Sequence, residues 1–267
     1  MHLLYCDESN LDENAGDFLI YGGVMVSADA AASLSAEIEK IRTTAGIDRN
    51  FKLKFNPKPE GMSHIDYRDV KQAILQAAAK HDVALLTYAI LHDISSSPDE
   101  ARRFGINTVC YHFDCCLRAL KSKGLVLIDR FNDAGNAIDA HLTEKFAIGV
   151  RFPPDDKEYR LTHVLGLHYT AVGQSHFTSL IDIALGSLRY AVNVHTRDQV
   201  AQVGSAHALL ALLSPLFVRA NGTQQVSEFG MLLSPKVIKS AKYRARYQAL
   251  KDFLSEGGVN LQQKISE

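Results

Sequence analysis

The sequence predicts a single α/β domain that ends in a helical extension. Strand-like and helix-like segments alternate along the 267 residues, a pattern that is typical of α/β folds. Hydrophobic residues make up 46% of the chain, enough to bury a substantial core. No internal repeat, low-complexity tract or long linker divides the sequence. We therefore expect residues 1–195 to form the main domain and residues 196–267 to form a helical extension packed on it.

The first third of the chain predicts four strands, two helices and a loop. Helices are predicted where apolar residues recur at helical spacing, as Leu34, Ile38 and Ile41 do, and strands where apolar residues run together. Pro57 and Pro59 mark the loop. The predicted elements are strands at residues 2–8 and 17–27, a helix at 29–45, a short strand at 51–55, a helix at 65–80 and a strand at 83–91.

The remainder of the chain predicts mostly helices with two further strands. Gly124 follows one long helix and Gly257 follows another, and glycine is a common stop signal after a helix. A charged turn, RFPPDDKEYR, lies between the predicted helix at residues 134–147 and the predicted strand at residues 161–170. The predicted elements are a helix at residues 98–121, a strand at 125–129, a helix at 134–147, a strand at 161–170, and helices at 177–194, 198–218 and 235–255.

The overall charge excludes a general affinity for polyanions. Lysine and arginine total 29 against 30 aspartates and glutamates, so the net charge is -1 and any nucleic-acid site must be a local patch. The sequence shows no signal peptide and no apolar segment of about 20 residues, so we expect no membrane association. Its four cysteines form no CxxC pair, which fits free thiols in the cytoplasm.

Two apolar runs each end on an acid, and this repetition is the main functional signal. The opening HLLYCDESN reaches Asp7 and Glu8, and LVLID reaches Asp129. If the two strands are neighbours in one sheet, about 4.8 Å apart, the acids at their ends could share divalent ions. Residues alternate between the faces of a strand, so Asp7 and Glu8 point to opposite sides and Asp7 ranks first. Alternatively, each acid accepts hydrogen bonds in a turn.

A third acid, Asp182, interrupts the apolar run of the predicted helix at residues 177–194. Ser179 and Arg189 lie on the same side of that helix and form a small polar stripe with it. Two interpretations are equally consistent with the spacing. Asp182 either opens to a cleft as a further metal ligand or forms a contact with Arg189 or Ser179 that stabilises the helix.

With these residues identified, the sequence resembles the DUF3800 family, whose members look like divergent relatives of ribonuclease H-like nucleases. The resemblance covers most of residues 1–195 and rests on four segments: YCDESN followed by FLIYGGVMV, KLKF, VLIDRF and SHFTSLIDIA. It implies an RNase H-like mixed β-sheet flanked by helices, with Asp7, Asp129 and Asp182 brought together. It also implies cleavage of phosphodiesters in RNA or DNA with Mg²⁺ or Mn²⁺ held by these three acids, and Glu8 as a further catalytic residue.

The chain departs from the family pattern at Lys52, where many members have the acid of an E-x-K motif. Glu8 could replace this missing carboxylate. Alternatively, Lys52 and Lys54 share a strand face and hold the phosphate of the substrate, or they only protect an exposed strand edge from aggregation. Ser9, in the opening motif, and His168, on a strand that approaches the acids, complete the predicted substrate contacts.

A second functional hypothesis is a nucleic-acid or protein-binding module on the same fold whose metal site has decayed. Lys52 and the basic helix at residues 235–255, in which Tyr243 and Tyr247 alternate with lysines and arginines, motivate it. Residues 198–218 are apolar over a wide arc and could form a homodimer interface. Helical spacing places Cys110 and Cys116 in an apolar stripe, which favours core residues over zinc ligands.

Overall fold

The protein is represented by a computed structural model that describes residues 1–12, 14–130, 137–152 and 155–266. The chain forms an α/β structure. Its strands are β1 (His2–Ser9), β2 (Phe18–Ser27), β3 (Ala84–Leu91), β4 (Gly124–Asp129), β5 (Val150–Phe152), β6 (Asp155–Tyr159), β7 (Val164–Thr170) and β8 (Met231–Ser234). Its α-helices are α1 (Ala28–Thr44), α2 (His64–Lys80), α3 (Pro98–Ala119), α4 (Ala137–Ile148), α5 (His176–Thr196), α6 (Val203–Leu213) and α7 (Ala241–Glu256).

The central sheet is mixed and six-stranded, with the order β7-β4-β1-β2-β3-β8. The strand β2 runs antiparallel to both of its neighbours, β1 and β3, whereas β4 is parallel to β1, β7 is parallel to β4 and β8 is parallel to β3. The strands β5 and β6 form a separate pair. The predicted α/β class is therefore confirmed.

Helices cover both faces of the sheet, and each face has its own apolar core. The helices α3 and α4 pack on one face, against Leu4 and Cys6 of β1. The helices α1, α2, α5, α6 and α7 pack on the other face, where the ring centroid of Tyr5 lies 5.2 Å from that of Phe177 in α5. The alternation along β1 therefore directs Asp7, two residues after Tyr5, toward α5 and directs Glu8 toward α3.

Serine residues define where several of these helices begin. The side-chain oxygens of Ser27, Ser63, Ser97 and Ser175 accept a backbone N–H from the first turn of α1, α2, α3 and α5 respectively. Such caps satisfy backbone donors that have no partner within the helix, and each contributes about 1 kcal/mol. The predicted boundaries of these four helices accordingly lie within two residues of the observed ones.

The predicted strand at residues 51–55 is wrong. This segment is a loop, because side chains rather than a neighbouring strand bind its backbone. The hydroxyl of Tyr67 donates to the carbonyl of Lys54 and accepts its N–H at 3.2 Å, and Asp182 accepts the N–H of Phe55 at 2.6 Å. Lys52 and Lys54 therefore do not share a strand face.

The predicted helix at residues 198–218 is shorter in the structure. Only Val203–Leu213 is α-helical, with a 3-10 turn before it and another at Ser214–Leu216. Pro215 cannot donate a backbone hydrogen bond to continue the helix. The apolar residues Ala206, Leu210 and Leu213 are buried in the core shared with α5, so this side of the helix is already covered within the chain. The homodimer stays a prediction.

The extension at residues 196–267 is not purely helical. The predicted helix at residues 235–255 begins only at Ala241, and the preceding Met231–Ser234 forms the edge strand β8 beside β3.

The charged turn at residues 151–160 contains parts of β5 and β6, while residues 153–154 lie outside the described residues, as do positions 134–136 of another predicted helix. None of the described helices is long and apolar enough to span a bilayer. The cytoplasmic location stays a prediction.

Candidate functional site

Carboxylates from three distant segments meet at one end of the sheet. In the parallel pair of β1 and β4, Cys6 lies opposite Ile128, so the next residues, Asp7 and Asp129, are neighbours at the carboxyl ends of their strands. Helix α5 crosses β1 on this face and brings Asp182 near both acids, whose pKa values its charge raises. The predicted adjacency of the two strands is therefore confirmed.

The electrostatics of Asp7 show that negative charge dominates its immediate surroundings. Burial, followed by the negative charges of Glu8, Asp129 and Asp182, raises the pKa of Asp7 to about 8, although the hydrogen bond that Asp7 accepts from the N–H of Glu8 lowers it. Burial also raises the pKa values of Asp129 and Asp182. Because carboxylates this close together disfavour one another's ionisation, a cation among them would stabilise all of them.

Glu8 points to the opposite face from Asp7, where it meets α3. Its Oε1 lies 3.5 Å from Nη1 of Arg102, which also forms an ion pair with Asp99. The side chain of Glu8 is only 10% exposed, and burial raises its pKa despite the Arg102 guanidinium. Its Oε2 accepts no hydrogen bond from any side chain or backbone group that the structure describes. Glu8 thus keeps one buried oxygen available for a ligand.

The loop at residues 51–57 is fixed against the acids at several points. Besides the bonds of Tyr67 to Lys54 and of Asp182 to Phe55, the ammonium of Lys71 lies 4.1 Å from the ring centroid of Phe55 and donates to its carbonyl at 3.3 Å. The backbone of Lys54 is thereby fixed, and the charge of its side chain lowers the pKa values of Asp129 and Asp182. This arrangement requires contacts between α2, α5 and the loop.

Gly186 allows the loop to approach α5. A Cβ at this position would lie 2.3 Å from Cβ of Phe55, far inside contact distance. We expect Gly186→Ala to displace Phe55, weaken its bond to Asp182 and destabilise the protein by about 1–3 kcal/mol, measured by urea denaturation. Gly204→Ala in α6 is the matched control, because a Cβ there meets nothing within 4 Å and alanine favours the helix. Equal stability changes in the two variants would contradict this prediction.

A cavity of about 290 Å³ opens beside Asp7 and Asp182, whereas Asp129 is not part of its lining. Its walls combine acidic, basic and amide side chains, a composition suited to a charged ligand rather than an apolar one. The lining includes Asp7, Glu8, Ser9, Asn10, Asp12, Lys54, Phe55, Asn56, Asp182 and Arg189. Ser9 and Lys54, both predicted as substrate contacts, therefore lie at the cavity.

Two other predicted substrate contacts lie elsewhere. Lys52 is exposed and packs along Gly173, outside the cavity lining. His168 is exposed on the edge strand β7, opposite Leu127 in the register with β4, and its ring lies over Gly166. Neither residue lines the cavity. The side chain of Lys52 points outward from the loop, and that of His168 points outward from the edge strand β7.

The structure adds residues that the sequence interpretation missed or assigned differently. Arg189 lines the cavity. Within the described part of the chain it forms no ion pair with Asp182, but its positive charge lowers the pKa of that acid. Asn10, with a φ of 60°, exchanges hydrogen bonds with Asn193 at the cavity rim. Arg102 is identified only by the packing of α3 on β1. The two-turn spacing of Arg189 from Asp182 was the one available signal.

The donor atoms of the site fit a hard divalent cation. Aspartate and glutamate oxygens are the ligands that Mg²⁺ and Mn²⁺ prefer, and the unpartnered Oε2 of Glu8 adds an available one. Among the side chains that the structure describes, no three His, Cys, Asp or Glu residues are already arranged in ligand geometry.

No protein-family model matches the chain, and a search of curated proteins finds no match. The family resemblance therefore stays an expectation drawn from motifs.

Proposed function

We propose that this protein is a divalent-metal-dependent phosphodiester hydrolase acting on RNA or DNA. The observation that carries the proposal is the meeting of Asp7, Asp129 and Asp182 at one end of the sheet, where Asp7 and Asp182 line a polar cavity and the pKa of Asp7 is raised to about 8. Acids are rarely assembled in this way unless a cation or a catalytic proton transfer requires them. The adjacency of β1 and β4 supports the RNase H-like, DUF3800-type fold as part of the same proposal.

In this proposal, the three aspartates would hold Mg²⁺ or Mn²⁺, and Glu8, which lines the same cavity from the other side of β1, would supply a fourth oxygen. The bound metal would activate a water molecule and stabilise the charge that develops on the phosphate and the leaving oxygen. Arg189 and Lys54 line the same cavity and bind the substrate phosphate, Arg189 through its planar guanidinium and Lys54 as a point charge. Ser9 contributes a hydroxyl at the cavity wall.

The proposal predicts cleavage that requires a metal. Labelled RNA and DNA, single- and double-stranded, are incubated with the protein in Mn²⁺, Mg²⁺ or EDTA, and the products are separated by gel electrophoresis. We expect cleavage of at least one substrate in Mn²⁺ or Mg²⁺ and none in EDTA. Absence of metal-dependent cleavage on all four substrates would count against the proposal.

A second candidate is a binding module with a decayed metal site. The position of Lys54 favours it, because a lysine already supplies positive charge to Asp129 and Asp182. The basic helix α7 gives it less support, since Arg246 pairs with Asp93 at 2.8 Å and Arg244 donates to two backbone carbonyls. Nucleic-acid binding that depends on salt, persists in EDTA and is unaffected by Asp7→Ala would favour this candidate. Binding that disappears in EDTA would favour the hydrolase.

A further inference from the structure

Asn10 follows strand β1 and connects it to three other parts of the chain. Its φ is 60°, a left-handed conformation that asparagine adopts more readily than most residues, so the chain turns here. Its Nδ2 donates to Oδ1 of Asn193 at 2.7 Å and to the carbonyl of Phe18 at 3.0 Å, and its Oδ1 accepts from Nδ2 of Asn193 at 3.2 Å. Its carbonyl accepts from Nε2 of His92 at 2.8 Å. Both polar atoms of the Asn10 side chain therefore have partners.

The residues that begin at Asn10 form one wall of the candidate site. Asn10, Leu11 and Asp12 line the cavity, and the last two are exposed. The connection that they begin ends at Asp17, whose carbonyl accepts the backbone N–H of His92 at 3.0 Å. His92 is 3% exposed and so holds both ends of the connection from the interior. The position of this wall therefore depends on the contacts at its ends.

Helix α5 forms another wall of the cavity with one side of its surface. Asp182, Gly186, Arg189 and Asn193 are spaced by four, three and four residues, so they lie on the same side of the helix. The first three line the cavity, and Asn193 lies one turn beyond them. Asp182 accepts the N–H of Phe55 at 2.6 Å, about 16 Å along the helix from Asn193. The cavity thus lies along α5 between two hydrogen-bonded contacts.

We propose that Asn193 is a positioning residue of the substrate site, which acts through Asn10 to hold the wall at residues 10–12 beside α5. The inference deepens the proposed hydrolase and rests on it for the substrate. Asn193 is half-buried and is not among the described residues that line the cavity. Without the amide pair, the wall would separate from the turn of α5 that follows Arg189, which binds the substrate phosphate in the proposed hydrolase. The three aspartates would stay in place, because the pairing of β1 with β4 and the bond to Phe55 do not involve Asn193.

The first test is the steady-state kinetics of Asn193→Ala on the nucleic acid that the wild type cleaves. Alanine removes the amide and favours the helix, so α5 is expected to stay intact. We expect KM to rise about three- to tenfold, the effect of losing two hydrogen bonds, while kcat stays within about twofold. Tyr190→Phe is the matched control, because it removes a hydrogen bond from α5 to Gln202 that does not reach the cavity, and its KM is expected to equal that of the wild type.

A double-mutant cycle distinguishes action through Asn10 from a general effect on the fold. Asn10→Gly removes the same amide pair, and glycine accepts the left-handed φ of this position. In this variant the pair is already absent, so adding Asn193→Ala is expected to change KM by less than about twofold. Independent effects of the two substitutions would contradict the inference.

Limited proteolysis gives a readout that needs neither metal nor substrate. Chymotrypsin cleaves after large apolar residues, and Leu11 is an exposed one in the wall. We expect cleavage after Leu11 to be severalfold faster in Asn193→Ala than in the wild type or Tyr190→Phe, with the rates at other sites unchanged. An increase at every site would indicate global destabilisation instead, which urea denaturation measures independently.

The two proposals can fail separately. If no nucleic acid is cleaved but Leu11 becomes more accessible in Asn193→Ala, the pair holds the wall and the proposed hydrolase is wrong. If cleavage requires metal but a folded Asn193→Ala keeps the KM of the wild type, or Leu11 is cut at the same rate in both proteins, the hydrolase stands and the inference about Asn193 is overturned.

Discussion

Replacing Asp129 with asparagine is expected to remove metal-dependent cleavage while leaving the fold at least as stable. Asparagine keeps the size of the side chain but removes a charged oxygen ligand and one of the negative charges that raise the pKa of Asp7. Loss of groups that only orient a metal ligand costs roughly 10–100-fold in affinity or activity, so loss of a ligand is expected to cost at least about 100-fold. Initial rates at saturating Mn²⁺ measure this effect.

The matched control for this substitution is Asp69→Asn. Asp69 lies on α2, is 59% exposed and pairs with Arg68 on the surface, so its charge has no role at the cavity. We expect its rate to equal that of the wild type. Thermal unfolding of both variants separates a chemical effect from misfolding. An active Asp129→Asn variant, or one whose activity is lost only together with its folded structure, would argue against the metal site.

The acids of the site could be predicted because their signal is local. A run of apolar residues predicts an interior strand, and an acid immediately after it lies at the end of that strand whatever the rest of the fold. The same pattern at Asp7 and Asp129 suggested neighbouring strands, and the pairing of β1 with β4 confirms this adjacency. Alternation along β1 also correctly separated Asp7 from Glu8, because side-chain direction in a strand depends only on sequence position.

The surroundings of the acids depend on contacts between distant parts of the chain. The segment KLKF alternates like a strand, but Tyr67 and Asp182 bind its backbone, which no local pattern indicates. The contact of Arg102 with Glu8 requires the packing of α3 on β1. Likewise, Met231–Ser234 is too short an apolar run to predict a strand, and it becomes one only because the edge of β3 is available.

The register of the sheet decides which predicted residues reach the cavity. His168 lies on β7, but it is opposite Leu127, two residues before Asp129, and β7 is an edge strand, so the imidazole is exposed to solvent. A sequence pattern identifies a strand and its faces but not its register with a distant strand. For this reason the positions of the acids at the strand ends were predicted more accurately than those of the residues around them.

Without metal, the wild-type protein is expected to lose stability relative to Asp7→Asn as the pH rises. The pKa of Asp7 is about 8 in the folded protein, whereas an unfolded aspartate has a pKa of about 3.9. Protonated Asp7 therefore favours the folded state at low pH, and this contribution is lost as the pH rises toward 8. Each pKa unit corresponds to about 1.4 kcal/mol, so the variant is expected to be more stable by a few kcal/mol above pH 8.

Urea denaturation in EDTA from pH 5 to pH 9 measures this difference. The comparison with Asp7→Asn is essential, because burial lowers the pKa of His112 to about 3 and that of His141 to about 4. These histidines destabilise the folded state below about pH 6.5, opposite to the trend of Asp7, but equally in both proteins. The difference in unfolding free energy is expected to grow with pH and to level off above pH 8. A difference that is independent of pH would show that Asp7 is ionised throughout, so that no cation is needed to neutralise it.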